Sequence, residues 1–358
     1  MIPAAKPLVG RAERKAVARV MKSGGLAQGP EVAAFEKEFA RLVNGFECVA
    51  VNSGTSALHL AFLAAGIGPG DEVIVPSFSF AATANAVRLA GATPIFGDID
   101  MQTFNLCPKH TATLITSRTR AIMPVHLYGH PADMVAFDAL AKQHDLMLFE
   151  DAAQAVGASM NGTPVGCFST AASFSFYPTK NMTSGEGGMV TTPSSEVARS
   201  VRILRNQGME KKYQNEVIGF NTRMTDIHAA IGRVQLTKLA GWTARRQQNA
   251  EFLNNHLENV VVPLVMPGAV HVWHQYTIQL SDLDRDRFAE ELAKRGVGSG
   301  VYYPTPIHRL PSFQLSLGLT NTEKVASSCL SLPVHPALRQ RDLNTIVQAV
   351  NDLASIGS

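Results

Sequence analysis

Short apolar segments that favour β-strands alternate along this chain with segments that favour helices, and this alternation limits the possible folds more than any other feature. The first five strand-like segments are Cys48–Val51, Glu72–Val75, Thr93–Phe96, Ala121–Val125 and Leu146–Phe149. Nearly all of their residues are apolar, with no alternation of apolar and polar residues, which is typical of a parallel sheet buried on both faces. We therefore predict an α/β fold in which helices cover a mostly parallel sheet.

The pattern changes in the C-terminal third of the chain. Long helices are predicted at Asp226–Leu239 and Thr243–Leu257, and Met266–Gly268 then breaks the pattern. The smaller elements predicted after this break are a strand at His271–Leu280, a helix at Asp284–Arg295, a proline-rich loop around Tyr303–Pro311 and a helix at Arg341–Ala354. We predict a large α/β domain with an N-terminal arm at residues 1–240 and a smaller α+β domain at residues 241–358.

The charge balance argues against a nucleic-acid partner. Lys and Arg total 32 against 29 Asp and Glu, a net charge of +3, and no basic cluster with interleaved aromatic residues occurs. Nucleic-acid binding is therefore not expected. Charged residues make up only 17% of the chain, which suggests that part of the surface is hidden in an oligomer.

Metal binding and membrane insertion are not indicated either. The four cysteines form no CxxC pair, so neither a zinc site nor a disulfide framework is expected. The histidines are interpreted as structural, since His271 and His274, three apart on the predicted strand, would face opposite sides. No apolar segment resembles a membrane span, and Met1–Lys15 lacks a signal-peptide pattern. We expect a cytoplasmic protein.

Candidate functional residues follow the strand ends, where parallel sheets bind their ligands. After the first strand, Gly54 and small hydroxylated residues open a helix, whose free N–H groups favour a phosphate. The alternative is an ordinary helix cap by Ser53 or Thr55. After the second strand, Phe80 is placed either to stack on a flat ring or to pack in the core.

Two further strand ends carry a carboxylate and a lysine. Asp151 follows the fifth strand, where it could hold a proton on a heterocyclic nitrogen or merely cap a helix. Lys180 lies in a mostly apolar run before the glycine-rich turn at Gly185–Gly188. A desolvated lysine can form a Schiff base, whereas an isolated lysine is more often a surface residue. A lysine, a carboxylate, a phosphate-binding helix start and a stacking aromatic together predict a pyridoxal phosphate (PLP) site.

These motifs resemble those of the PLP-dependent sugar-nucleotide aminotransferases of the DegT/StrS group, within the fold-type-I aminotransferase superfamily. The resemblance extends from Ser23–Pro30 to Leu330–Pro336, and its most specific parts are Gly54–Ser56, Glu150–Gln154 and Ser175–Gly188. It implies the fold-type-I architecture, PLP as cofactor and a homodimer with shared active sites.

The resemblance also implies a role for each matching residue. Lys180 would form the Schiff base and move the proton between the amino donor and the cofactor. Asp151 would pair with the pyridine nitrogen, Gln154 would hydrogen-bond the ring 3-oxygen, and Phe80 would stack on the ring. The residues implied for the phosphate are Gly54, Thr55, Ser56, Ser175 and, from the second subunit, Asn221. Those implied for the substrates are Arg223, which would attract a carboxylate or phosphate, and Tyr303 and His308, which would line the sugar-nucleotide pocket.

The expected reaction is the transfer of the amino group of glutamate to a nucleotide-linked keto-sugar. Two alternatives stay open: an aminotransferase that acts on a keto-cyclitol, and a PLP-binding regulatory protein without turnover. Val156 stands where the family often has His, and Gly25 and Thr222 stand where it often has an aromatic residue. These departures concern the substrate side, so the sugar, the nucleotide and the aminated carbon are not predicted. Lys180 argues against the related branch that has His there and performs deoxygenation.

Overall fold

The computed structural model of the protein describes residues 1–281 and 283–356. The helices are α1 (Arg11–Ser23), α2 (Pro30–Phe39), α3 (Gly54–Ala64), α4 (Ala82–Leu89), α5 (Pro108–Thr113), α6 (Met134–His144), α7 (Ser195–Leu204), α8 (Asp226–Leu236), α9 (Leu239–His256), α10 (Arg285–Lys294), α11 (Thr320–Ser328) and α12 (Gln340–Ile356). One-turn 3₁₀ helices lie at Ala40–Leu42, Leu127–Gly129 and Ile307–Arg309.

The strands are β1 (Glu47–Val51), β2 (Glu72–Pro76), β3 (Thr93–Gly97), β4 (Thr119–Ile122), β5 (Met147–Asp151), β6 (Ser159–Met160), β7 (Thr163–Pro164), β8 (Ala171–Ser175), β9 (Gly188–Thr192), β10 (Met209–Lys211), β11 (Gln214–Asn215), β12 (Ala269–Val270), β13 (Tyr276–Gln279) and β14 (Cys329–Leu332). Seven of them form the central sheet in the order β1-β9-β8-β5-β4-β2-β3. Within it β9 is antiparallel to both neighbours, and the other strands run parallel to one another. The prediction of a mostly parallel sheet is confirmed.

The sheet is buried on both faces, as its continuous apolar strands indicate. Along β1, Val49 and Val51 pack with α3 and α7. Cys48 and Ala50, on the opposite face, pack with α2 and with the aromatic ring of Phe174 from β8. Because successive side chains of a strand point to opposite faces, most residues of such a strand need an apolar side chain, and a buried polar one needs hydrogen-bond partners. This explains why the strand segments show no polar alternation.

A second core lies in the C-terminal part of the chain. The antiparallel pair β13 and β14 packs there with α10, α12 and the second half of α9. The predicted strand at His271–Leu280 is wrong in its first half, because Trp273 has a φ of 48° and the chain becomes extended only at Tyr276. The argument that His271 and His274 face opposite sides of a strand therefore does not apply.

Two segments cross between the N-terminal and C-terminal parts. Ile2 pairs with Val297, so the N-terminal arm reaches the C-terminal core. The proline-rich loop contributes Ile307 to the core around α3 and α4. The division of the chain at residue 240 stays a prediction. Within the described residues, no helix is long and apolar enough to span a membrane.

Candidate active site

A cavity of about 510 Å³ lies where the parallel strands end. Asp151 is the last residue of β5, Ser175 is the last of β8, and Gly54 opens α3 directly after β1. The residues singled out from the sequence that line this cavity are Gly54, Thr55, Phe80, Asp151, Gln154, Ser175, Lys180 and Tyr303. The sheet brings Gly54, Asp151 and Ser175 together because their strands end at one edge, and the proline-rich loop adds Tyr303, which is 249 residues from Gly54 in the sequence.

The start of α3 is built to receive an anion. Ser53 caps the helix, because its Oγ accepts a hydrogen bond of 3.1 Å from the Ser56 N–H. A Cβ atom on Gly54 would lie 2.8 Å from the Cβ of Ser175, so only glycine allows α3 to start this close to β8. The Thr55 and Ser175 side chains therefore line the cavity beside the free N–H groups of the helix, an arrangement that suits a phosphate. Ser56 does not line the cavity, and its Oγ accepts from the Ser53 hydroxyl at 3.0 Å.

Asp151 is a buried carboxylate with two hydrogen bonds from the protein. Its Oδ2 accepts from the Thr83 hydroxyl at 2.8 Å, and its Oδ1 accepts from the Ala153 N–H at 3.1 Å. Burial raises the pKa of Asp151, because desolvation disfavours the ion, while these two donors and the nearby Lys180 act in the opposite direction. The remaining lone pairs of the carboxylate are available to a ligand in the cavity.

Lys180 is half-buried in the loop that follows β8. Desolvation lowers the pKa of its ammonium group to about 8, although the nearby carboxylate of Asp151 raises it. An amine with such a pKa has a substantial neutral fraction near physiological pH. It is therefore suited to attack a carbonyl carbon and to accept a proton.

The amide of Gln154 has a fixed orientation. Its Oε1 accepts from the Tyr128 N–H at 2.7 Å, and its Nε2 donates to the Tyr303 hydroxyl at 3.2 Å. The side that reaches the cavity is therefore the donor side. Phe80 is 58% exposed, and its ring centre lies 5.8 Å from that of Tyr303, so most of its surface stays open to a ligand.

Besides Ser56, three predicted site residues do not line this cavity. Asn221 is exposed and pairs with Asn206, whose Oδ1 accepts a hydrogen bond of 2.8 Å from Arg223. Neither Asn221 nor Arg223 lines the cavity of its own chain. His308 does not line it either, and that expectation is corrected: its ring is fully buried and bonded to Ser77 at 2.6 Å and to Glu323 at 3.3 Å.

Glu150 and His126 form a buried pair behind the site that the sequence analysis missed. The Glu150 carboxylate accepts from the N–H groups of Gly166 (2.8 Å) and Phe168 (3.1 Å), from the Ser169 hydroxyl (2.7 Å) and from His126 Nε2 (3.0 Å). Because His126 Nδ1 accepts from a backbone N–H, the imidazole proton is on Nε2. A charged residue inside an apolar strand was the available signal in the sequence.

Thr83 and His274 were also missed as cavity residues. Nothing in the local sequence marks Thr83, since its partner Asp151 is 68 residues further along the chain. His274 was interpreted as structural from a strand geometry that the chain does not adopt. No group of three or more His, Cys, Asp or Glu side chains that could hold a metal ion occurs in the part of the chain that the structure describes.

Comparison with known proteins identifies the family. Residues 7–351 match the model of the DegT/DnrJ/EryC1/StrS aminotransferase family. The chain belongs to this family. It is therefore a PLP-dependent aminotransferase, and the site fits the cofactor: hydroxyl groups and a helix start for its phosphate, a buried carboxylate for its ring nitrogen and an amine for its aldehyde.

Several relatives of this aminotransferase have names or solved structures. It is 42% identical to a pleiotropic regulatory protein of Geobacillus stearothermophilus, over 92% of this chain and 91% of the relative. It is 41% identical to dTDP-3-amino-3,4,6-trideoxy-alpha-D-glucose transaminase of Streptomyces venezuelae, over 95% of this chain and 91% of the relative. The crystal structure of S. venezuelae DesV has a TM-score of 0.93 at 40% identity, covering 98% of this chain and 99% of DesV. Bacillus subtilis NtdA with bound pyridoxamine phosphate has a TM-score of 0.91 at 30% identity, covering 97% and 83%.

Proposed function

We propose that this aminotransferase transfers the amino group of glutamate to a nucleotide-linked keto-sugar, with Lys180 as the residue that forms the Schiff base with PLP. One observation carries the proposal: the Lys180 amine, with its pKa lowered to about 8, shares a cavity with the buried carboxylate of Asp151. PLP supplies an aldehyde that bonds to amines and a conjugated ring that accepts electrons. The nucleophile and the partner of the ring nitrogen thus face the same ligand.

The residues around the cavity would have distinct tasks. Asp151, whose ionised form is favoured by the Thr83 hydroxyl and the Ala153 N–H, would hold a proton on the ring nitrogen. Gln154 would donate its Nε2 hydrogen to the ring 3-oxygen, since Tyr128 already binds its Oε1. Phe80 offers an open ring face for stacking. The residues proposed for the phosphate are Gly54, Thr55 and Ser175, whereas Ser56, which does not line the cavity, would support them only through its hydrogen bonds with Ser53.

Lys180 would also move the proton. A neutral amine near physiological pH can take a proton from the Cα of the amino donor and return it to the cofactor. Tyr303 would form the wall on the substrate side. Burial raises the pKa of Tyr303, so its hydroxyl stays protonated and can donate to a sugar hydroxyl or carbonyl.

The substrates would need cationic groups that this cavity does not itself provide. Lys180 is the only lysine or arginine among the described residues that line the cavity. Glutamate and a nucleotide sugar, however, both carry negative charges. We propose a homodimer in which Arg223 of one copy attracts a substrate carboxylate or phosphate in the other, and Asn221 reaches the other cofactor phosphate. The name of the S. venezuelae relative contains a dTDP-linked sugar, which supports the nucleotide-linked class of substrate. A cytoplasmic location stays a prediction.

The test is a substrate panel. The purified enzyme with PLP and ¹⁵N-glutamate is offered nucleotide-linked 3-keto-sugars and 4-keto-sugars and, in parallel, a keto-inositol, and the products are identified by mass spectrometry and NMR. A ¹⁵N-labelled amino sugar nucleotide supports the proposal, and Lys180→Ala is expected to abolish it. Labelling of the cyclitol alone would favour the keto-cyclitol reaction. If glutamate fails to convert bound PLP to pyridoxamine phosphate, the non-catalytic function is favoured instead.

A further inference from the structure

A second, small cavity of about 20 Å³ adjoins the candidate active site, because Lys180 lines both. Three cationic residues from separate segments line it: Lys6 from the N-terminal arm, Lys180 from the loop after β8 and Arg246 from α9. No Asp or Glu is among the described residues around it. Its volume leaves room for one water molecule or one small ion, and not for a cofactor or a sugar.

The guanidinium of Arg246 is buried without a negatively charged partner. Arg246 is 7% exposed, and its Nη1 donates to the carbonyl of Trp273 at 3.0 Å, with a longer contact of 3.5 Å to the carbonyl of His274. Its Nε is buried and has no hydrogen-bond partner within residues 1–281 and 283–356. Carbonyl groups do not neutralise a cation, and a buried charge or an unbonded buried donor is costly. An anion that bound here would relieve both costs.

The charges around the cavity are consistent with an unpaired Arg246. Burial lowers the pKa of Arg246 to about 10, and no carboxylate acts against this effect, so the guanidinium stays protonated at neutral pH. The nearby ring of His335 is affected as well. Burial lowers the pKa of His335 to about 4, and the charges of Arg246 and Lys6 contribute, although the Pro3 carbonyl and Asp342 act in the opposite direction. Positive charge thus exceeds negative charge in this part of the molecule.

We propose that this cavity binds one small monovalent anion, with chloride as the example of the right size, which pairs with the Arg246 guanidinium and accepts the hydrogen bond of its Nε. Lys6 supplies a second positive charge, so the anion also links the N-terminal arm to α9. Because Lys180 lines the same cavity, the anion favours the protonated form of its amine. The inference does not depend on which substrate the enzyme uses.

The first test uses crystals of the unchanged PLP-bound enzyme, grown with sodium bromide in place of chloride. Bromide resembles chloride in charge and size and gives an anomalous signal at its absorption edge. We expect an anomalous peak in contact with Nε of Arg246. A water molecule or a side chain of a second copy in this position, without an anomalous signal, would overturn the proposal even if bromide binds elsewhere on the surface.

The second test asks whether the anion binds in solution. The Tm of the PLP-bound enzyme is measured against the concentration of sodium chloride, with sodium gluconate keeping the ionic strength constant, since gluconate is too large for the cavity. Binding to the folded protein alone should raise Tm by about 3–4 °C at a chloride concentration a hundred times the Kd. Equal Tm values in the two salts would overturn the proposal, because the bromide peak would then reflect binding at crystal concentration only.

Variants show whether the chloride effect comes from this cavity. Arg246→Gln removes the charge and should abolish the rise of Tm with chloride. Arg245→Gln is the matched control and should keep the whole rise, because Arg245, the preceding residue of α9, donates to the Leu338 carbonyl at 3.0 Å and does not line the cavity. Equal chloride effects in these two variants would overturn the proposal.

Lys6→Gln provides a test if Arg246→Gln does not fold, since Lys6 is exposed and its replacement should be tolerated. Loss of this second charge should move the chloride titration to concentrations about two- to fivefold higher. An unchanged titration in Lys6→Gln would contradict the proposed link between the arm and α9. None of these measurements needs a keto substrate, so they can succeed even if the proposed reaction fails.

Discussion

A chain of hydroxyl groups on the wall of the cavity determines how well Asp151 keeps its charge. Thr83 is 1% exposed, donates to Asp151 Oδ2 at 2.8 Å and lies 2.8 Å from the Ser79 hydroxyl. Since the Thr83 hydrogen is used on Asp151, Ser79 must be the donor to Thr83. Thr83→Val keeps the shape of the side chain and removes the hydroxyl from the middle of this chain.

The size of the effect expected for Thr83→Val follows from the charge on the acceptor, the carboxylate of Asp151. A hydrogen bond to a charged group contributes about 1.5–3 kcal/mol, and burial already raises the pKa of Asp151. If the whole loss falls on the interaction with a protonated ring nitrogen, PLP binds roughly ten- to a hundredfold more weakly. The lost donor also leaves Ser79 without its acceptor, which adds to the cost.

The assay is a titration of cofactor-free protein with PLP, followed by absorbance, with kcat measured at saturating cofactor. Thr83→Ser is the matched control, because it keeps the hydroxyl and loses only a methyl group. The PLP affinity of Ser79→Ala is expected to lie between those of Thr83→Val and Thr83→Ser, since this change removes the hydrogen bond that Thr83 accepts but leaves its bond to Asp151. PLP affinity and kcat that are the same in Thr83→Val and Thr83→Ser would refute the reasoning.

Three further outcomes are expected. Gly54→Ala should weaken PLP binding and lower Tm, because the new Cβ would lie 2.8 Å from the Cβ of Ser175. Gly241→Ala in α9 is the control: its new Cβ would have no neighbour within 4 Å, so this variant should be more stable by about 0.5–1 kcal/mol in thermal unfolding. Glu150→Gln should lower the free energy of unfolding in urea by about 1–3 kcal/mol, because the amide NH₂ of the new side chain would face hydrogen-bond donors. An unchanged unfolding midpoint would show that these donors do not depend on the carboxylate. The pKa of Lys180 is lowered from 10.5 to about 8, so folded cofactor-free protein binds fewer protons than unfolded protein between these values. Its stability should rise with pH across that window, and Lys180→Met should remove this rise.

The sheet could be predicted from the sequence because its determinants are local. Continuous apolar runs such as Val73–Val75 can be recognised without knowledge of their neighbours, and helix α8 begins at the predicted residue, Asp226. The strand expected at Ala121–Val125 ends at Ile122 instead, since Pro124 has no N–H for the ladder.

The residues that tune the site could not be predicted in the same way. Thr83 acts on a carboxylate 68 positions away, and Tyr128 fixes Gln154 through its backbone N–H, which every residue except proline has. The resemblance to the family implied that His308 lines the pocket, but Ser77 and Glu323 bind its two ring nitrogens. Such contacts depend on which loops meet, and the sequence pattern does not contain that information.

The neighbouring carboxylates Glu150 and Asp151 show what the structure adds to a motif. They point to opposite faces of β5, so a shift of one residue in register would exchange them. A carboxylate offers about four lone-pair sites. Glu150 uses all four on protein donors, one of them from His126, so it has nothing left for a ligand. Asp151 uses only two of its lone-pair sites on protein donors, and it opens onto the cavity that contains Lys180. Because two sites remain, Asp151 and not Glu150 is the carboxylate that can accept a hydrogen bond from the N–H of a bound ring.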